Sequence, residues 1–179
     1  QQCATLAAEV AARSHPLDLE LVIVSPLTRT LQTAFLSLGA AADAPGAPTF
    51  LANELCRERI ADFTCDGRRS VTELREEFPG VDWSLVTDDE DRLFYEDKED
   101  DAKCRRRAVK FLEWLAARPE ERIAVVTHSI FLKNLFHQFG FDVAESDRSE
   151  LRAFPKNAEM RGIMLCAHRP FSEENDDKC

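Results

Sequence analysis

Short, densely apolar runs alternate along this chain with stretches in which apolar residues recur every three to four positions. Leu19 to Val24, near Thr49 to Leu51, and Ile123 to Thr127 are the dense runs. They are rich in β-branched residues and lack polar alternation, which predicts strands buried on both faces of a parallel sheet. The periodic stretches predict helices. Residues 3–14 carry Leu6, Ala7, Val10 and Ala11 on one stripe, and Pro16 stops them. Residues 27–39 repeat Leu27, Leu31, Ala34, Phe35 and Leu38; Ser25 is the expected N-cap and Pro26 the first helical residue. Residues 103–118 repeat Ala108, Phe111, Leu112 and Leu115, and residues 129–139 repeat Ile130, Leu132, Leu135 and Phe136, with Gly140 as the expected cap.

Between these blocks the pattern weakens. Residues 40–50 are Ala, Gly and Pro punctuation. Residues 52–101 carry one short helical repeat at 71–78 and an acidic stretch from Asp88 to Asp101, which reads as a solvated insertion. Two further strands are expected at 151–154 and 160–167, and a frayed tail at 172–179. The alternation of helix and strand predicts an α/β fold: a three-layer sandwich with a mostly parallel sheet and helices on both faces, in a single domain over 1–179.

Charge narrows the function. Lys and Arg number 23 against 33 Asp and Glu, a net charge of −10. That argues against a nucleic-acid partner, which would require a basic face, and against docking on anionic membranes. It leaves an anionic substrate open, since a local arginine cluster overrides the global sign. No run approaches the ~20 apolar residues of a membrane span. The start, Gln1-Gln2-Cys3, shows no signal-peptide pattern. Six scattered cysteines without a C-x-x-C pair predict reduced thiols in a cytoplasmic protein and no metal site.

Two predicted strands end in chemistry. One runs into Ser25-Pro26-Leu27-Thr28-Arg29 and the other into Thr127-His128-Ser129. Each is followed at once by a helix, and ligands of parallel sheets gather beyond the carboxyl ends of the strands. A guanidinium, an imidazole and two helix N-termini would there converge on one phosphate. Taken singly, Arg29 could equally be a solvated helix residue and His128 a packing residue; it is their joint placement that points to a site. His15, His137 and His168 read as structural.

The residues also carry a resemblance. Val24-Ser25-Pro26-Leu27-Thr28-Arg29-Thr30-Leu31-Gln32-Thr33-Ala34 resembles the S-P-L-x-R-x-x-Q-T-A signature of the histidine phosphatase superfamily, the phosphoglycerate mutase-like fold. Val125-Val126-Thr127-His128-Ser129 is similar to its second-histidine motif, and Arg57-Glu58-Arg59 to its acidic motif. Cys65-Asp66, Leu74, Phe78-Pro79, Val81-Asp82-Trp83-Ser84 and Asn157-Ala158-Glu159-Met160 resemble its plant, algal and fungal branch. One departure stands out. The family's nucleophile is a histidine in an N-terminal R-H-G motif, and no R-H-G occurs in this sequence. The resemblance therefore implies a fragment or truncated relative lacking the first strand, the nucleophile and an adjacent phosphate-binding Arg, with reduced stability as a consequence.

What the resemblance implies is phosphoryl transfer through a phosphohistidine. Arg29 and His128 would stabilise the phosphoryl oxygens. Glu58, with Glu54 as the fallback, would protonate the leaving alkoxide. Ser129 would add a donor, and Arg59, together with Arg68 and Arg69, could bind a second anionic group or merely offset the acidic insertion. The expected substrate is a small phosphorylated metabolite. No cofactor is implied, apart from a bisphosphoglycerate primer if the activity is that of a mutase; a non-catalytic phosphate-binding protein is the competing class. The oligomeric state is open.

Overall fold

The computed structural model describes residues 1–39, 46–61, 63–96, 98–139, 141 and 143–165. Four strands, β1 (Leu21–Val24), β2 (Thr49–Ala52), β3 (Val81–Asp82) and β4 (Ile123–Val126), form one parallel sheet in the order β3-β2-β1-β4. The helices are α1 (Gln2–Ala11), α2 (Thr28–Leu38), α3 (Val71–Glu77), α4 (Arg92–Glu96), α5 (Asp101–Ala116), α6 (Ser129–Phe136) and α7 (Glu145–Leu151).

The period-2 alternation of a strand explains why β1 is apolar throughout. Val22 and Val24 face one core with Phe50, Ala52 and Val81, covered by Leu31 and Ala34 of α2 and Val71 and Leu74 of α3. Leu21 and Ile23 face the other core, covered by Cys104, Ala108 and Phe111 of α5 and Phe131, Leu135 and Phe136 of α6. β1 is thus dry on both faces and β2 nearly so, but β4 is half-buried at all four positions, so its expected burial on both faces is corrected; the predicted three-layer arrangement is what the sequence forms.

The sheet order carries the functional consequence. After β1 the chain steps outward to β2 and β3, then returns to the opposite flank of β1 as β4. The order reverses between β1 and β4, which in parallel sheets is where the ligand crevice lies, beyond the carboxyl ends of the strands. The register pairs Val24 with Val126, so the residues that follow them, Ser25 and Thr127, leave the sheet side by side.

Several expectations are corrected. The acidic stretch 88–101 is exposed over much of its length, as expected, but it does not stand apart from the fold, and segment 52–101 as a whole packs on the sheet. It supplies β3 and, through Val71, Leu74, Phe78, Val81, Trp83 and Val86, half of one core. Its acidic stretch is tied inward by arginines. Asp91, 3% exposed, accepts from both terminal nitrogens of Arg57 (2.7 Å each) and from the backbone N–H of Arg68 and Phe94. Burial pushes Asp91 toward its neutral form, but these donors hold its pKa below the ordinary value. Burial likewise works against the Arg57 charge, yet Asp91 and Glu54 raise its pKa. Glu99 in turn pairs with Arg107 of α5 (2.5 Å), and Asp100 caps α5 by accepting from Lys103 N (2.7 Å), which starts that helix two residues earlier than its apolar repeat suggests.

The strand expected at 151–154 is also absent: Leu151 closes α7, and Arg152 instead donates to the carbonyls of His137 and Phe139 behind α6. Residues 160–165 form no strand either. Gly140, His168, the end of the strand expected at 160–167 and the tail at 172–179 lie outside the described residues. Among the described residues no helix is long and apolar enough to cross a membrane, and no cluster of His, Cys, Asp and Glu could hold a metal ion. Cys3, Cys56, Cys65 and Cys104 are free thiols, and burial pushes the Cys56 and Cys104 pKa values up to about 12.

Removing one partner of a buried ion pair leaves the other charge stranded. Asp91→Ala should therefore lower stability by roughly 3–5 kcal/mol, as read by urea denaturation. Phe111→Ala, in the opposite core, should cost about 3–5 kcal/mol through cavity formation. If Asp91→Ala left the urea midpoint unchanged, the buried clamp would have no energetic weight.

Candidate functional site

The crevice between β1 and β4 is lined from four directions. β1 delivers Ser25 and Pro26, both buried, and then α2, whose second residue is Arg29. β4 delivers Thr127 and His128, with His128 as the N-cap of α6. The 3-10 turn Glu54–Cys56 leads into Arg57 and Glu58, and a second turn, Thr64–Asp66, closes the outer side.

The structure brings Arg29 and His128 together. Arg29 Nε donates to His128 Nδ1 at 3.2 Å. The Arg29 fork also donates to the Cys65 carbonyl and to Asp66 Oδ1 (3.2 Å). His128 is 6% exposed, and its Nε2 lies 2.8 Å from Ser25 Oγ. Burial, followed by the positive charges of Arg29, Arg57 and Arg107, holds the His128 pKa well below that of an ordinary histidine. Three guanidiniums thus bear on one imidazole in a chain of net charge −10, a local reversal of the global sign.

Glu58 sits beside this group. Its Oε1 accepts from Arg59 N (2.9 Å) and from Phe131 N (3.0 Å) in the first turn of α6. Burial raises its pKa, while the N–H groups of Arg59, Phe131 and Ile130 pull the other way. The backbone that carries it is held by Arg107, which donates to the carbonyls of Leu55, Arg57 and Glu58. Thr127 Oγ1 donates to Cys56 O (2.6 Å) and fastens the same turn to β4.

Other predicted residues are engaged elsewhere. Glu54 accepts from Arg57 (3.0 Å) and Arg68 (2.9 Å), so its carboxylate is neutralised within the framework. Arg59 pairs with Asp101 of α5 (2.8 Å). Arg68 is buried, bonded to Glu54 and to the carbonyls of Arg69, Asp88, Asp89 and Glu90. Arg69 pairs with Glu77 (2.5 Å). Ser129 opens α6, and its hydroxyl has no partner among the described residues. Ser25 does not cap α2. The helix begins at Thr28 with Leu27 as N-cap, because the Ser25 hydroxyl meets His128 and Thr30 Oγ1 closes the turn on the Ser25 and Leu27 carbonyls. Asp66, Arg57 and Arg107 are the residues that periodicity missed. The Cys65-Asp66 pair was visible as a motif, but nothing in its spacing tied it to Arg29.

The low His128 pKa has a testable consequence. In the unfolded chain His128 takes a proton near pH 6.5, whereas in the fold it stays neutral to lower pH. Below about pH 6.5 the unfolded state thus binds more protons, and this group's contribution to stability, fully present above that pH, falls by up to ~1.4 kcal/mol per pH unit. Urea unfolding across that window should show the loss in the parent chain and a flatter profile in His128→Gln. Equal slopes would mean that His128 titrates normally.

Comparison with known proteins agrees with this geometry. The sequence profile of the histidine phosphatase superfamily (branch 1) matches residues 2–163. A phosphoglycerate mutase-like protein of Arabidopsis thaliana is 36% identical over 92% of this chain and 70% of its own length. The phosphoglycerate mutase-like protein 2 of the same plant is 34% identical over 92% of this chain and 62% of its own length. A probable phosphatase of Schizosaccharomyces pombe is 25% identical over 92% of this chain and 72% of its own length. With a parallel α/β sheet that places Arg29 and His128 in one crevice, and a family match spanning nearly all of its length, the chain belongs to the histidine phosphatase superfamily, branch 1.

Proposed function

We propose that the crevice binds the phosphoryl group of a small phosphorylated metabolite and serves its transfer through a phosphohistidine, with hydrolysis of a phosphomonoester as the reaction. The observation that carries this reading is the 3.2 Å contact between Arg29 and His128 at the point where the strand order reverses. Arg29, 41% exposed at its side chain, is the group that meets an incoming anion; the buried Arg57 and Arg107 add positive potential behind it. Such fixed charge stabilises the negative charge that develops on the phosphoryl oxygens.

In this reading a histidine nucleophile attacks phosphorus in line, and the bond from phosphorus to the leaving oxygen breaks. Glu58 supplies the proton that the departing alkoxide takes up, a role its burial favours by raising its pKa. Water, giving a proton to the Glu58 carboxylate, then attacks the phosphohistidine, breaking the bond from phosphorus to nitrogen, releasing phosphate and restoring both the imidazole and the Glu58 acid. None of the four histidines stands in an R-H-G motif, so the nucleophile of this scheme belongs to a segment not present in these 179 residues. The same reading takes no metal, no nucleic acid and no membrane as partner, and a cytoplasmic setting.

Two alternatives have support of their own. The names of the Arabidopsis relatives favour a mutase, which would need a bisphosphoglycerate primer. The other is phosphate binding without turnover, for which Arg29 and the buried arginines behind it would suffice.

Titration of the chain with inorganic phosphate tests the site. Binding should be seen, and Arg29→Ala should weaken it by about tenfold or more, the weight of a charge-assisted hydrogen bond. The chain alone should not hydrolyse an aryl phosphate. A form of the protein that carries an R-H-G segment should do so, and there Glu58→Gln should reduce kcat by about 10²–10⁴-fold. Phosphate binding that is absent, or indifferent to Arg29, would refute the assignment.

A further inference from the structure

Arg29 Nε is an obligatory donor, so the nitrogen it meets, His128 Nδ1, must be bare. The ring proton then sits on Nε2, and the 2.8 Å contact is a hydrogen bond from His128 Nε2 to Ser25 Oγ. Ser25 is fully buried, so this acceptor is as fixed as the sheet that carries it. On the other side, Asp66 is 7% exposed at its side chain and anchors the 41% exposed Arg29. Nε, Nη1 and Nη2 of Arg29 each donate once, to His128, the Cys65 carbonyl and Asp66. A guanidinium has five N–H groups, so two remain for an anion.

We propose that Asp66 and Ser25 are the positioning residues of this site: Asp66 aims the Arg29 fork, and Ser25 locks the His128 ring with its proton on Nε2. The Asp66 half rests on the reading of the crevice as a phosphate site; the Ser25 half rests on geometry alone. A His128 cation would set Nδ1–H against Arg29 Nε–H. The charged groups packed around the ring reinforce this, Arg29 from α2, Arg57 from the turn after β2 and Arg107 from α5, while Asp66 acts on the far side of Arg29 and Glu58 is bonded to the α6 backbone. Preorganisation of this kind leaves the anion to meet groups already in place.

The experiment uses the chain labelled with ¹⁵N-histidine. Long-range ¹H–¹⁵N correlation at pH 7 should show a neutral His128 with a slowly exchanging Nε2 proton. Ser25→Ala should abolish that slow exchange. Asp66→Asn should keep the tautomer but weaken inorganic phosphate binding by about tenfold, since a charged acceptor becomes neutral. A His128 cation, or a proton on Nδ1, in the parent chain overturns the proposal whether or not either variant folds. Slow exchange that survives Ser25→Ala overturns the Ser25 half, and unchanged phosphate binding in Asp66→Asn overturns the Asp66 half. If the parent chain binds no phosphate but shows the Nε2 proton in slow exchange, the phosphate reading and the Asp66 half fail together and the Ser25 lock stands.

Discussion

The parallel pairing of β1 with β4 is the constraint on which the site depends. These strands are separated by about a hundred residues of chain, yet their register aligns Val24 with Val126. Each ends at the same edge, and each passes at once into a helix. Neighbouring parallel strands lie ~4.8 Å apart, so a hydroxyl and an imidazole on the residues just beyond them fall within hydrogen-bonding reach. Helix α2 then brings Arg29 to the ring from the other side. A slip of one residue in this pairing would turn the β4 side chains to opposite faces, exchanging both cores and dismantling the crevice.

Around this axis the protein manages unusually many buried charges. Arg57 is wholly buried, and Asp91, Asp66 and Arg68 nearly so. Each exposes a desolvated charge that only a partner makes tolerable. The partners of Arg57, Arg68 and Asp91 come from segment 52–101, that of Asp66 is Arg29 of α2, and the pairing explains why a stretch so acidic packs against the sheet. Its carboxylates neutralise guanidiniums that in turn hold the turns bearing Glu58 and Asp66. The framework arginines thereby act twice. They knit the segment to the core, and their positive charge adds to burial in lowering the His128 pKa. Such networks add little net stability, because the desolvation cost offsets much of the attraction, while removing one partner of a pair is costly.

The relation to the family follows from the same features. The matched region covers both the strand-to-helix turns and the segment between them.

What the sequence determined by itself was the part governed by local periodicity. The dense runs of Leu21 to Val24 and Ile123 to Val126 could only be strands, the first of them buried on both faces and the second half-buried in the fold, and the repeats at α2, α5 and α6 could only be helices with one apolar face. From these, the parallel sheet and the meeting of Arg29 with His128 were legible, because a motif placed at the end of such a strand has only one edge to occupy. The tertiary structure alone decided the rest. It turned Ser25 from an expected helix cap into the partner of His128, and Asp91 and Glu99 from solvated charges into buried ones. It committed Glu54, Arg59 and Arg68 to internal pairs, and it joined Asp66 to Arg29. The physical reason is common to all of these. An ion pair or hydrogen bond between residues tens of positions apart leaves no period in the chain. A carboxylate bound for the interior is written with the same letter as one bound for water.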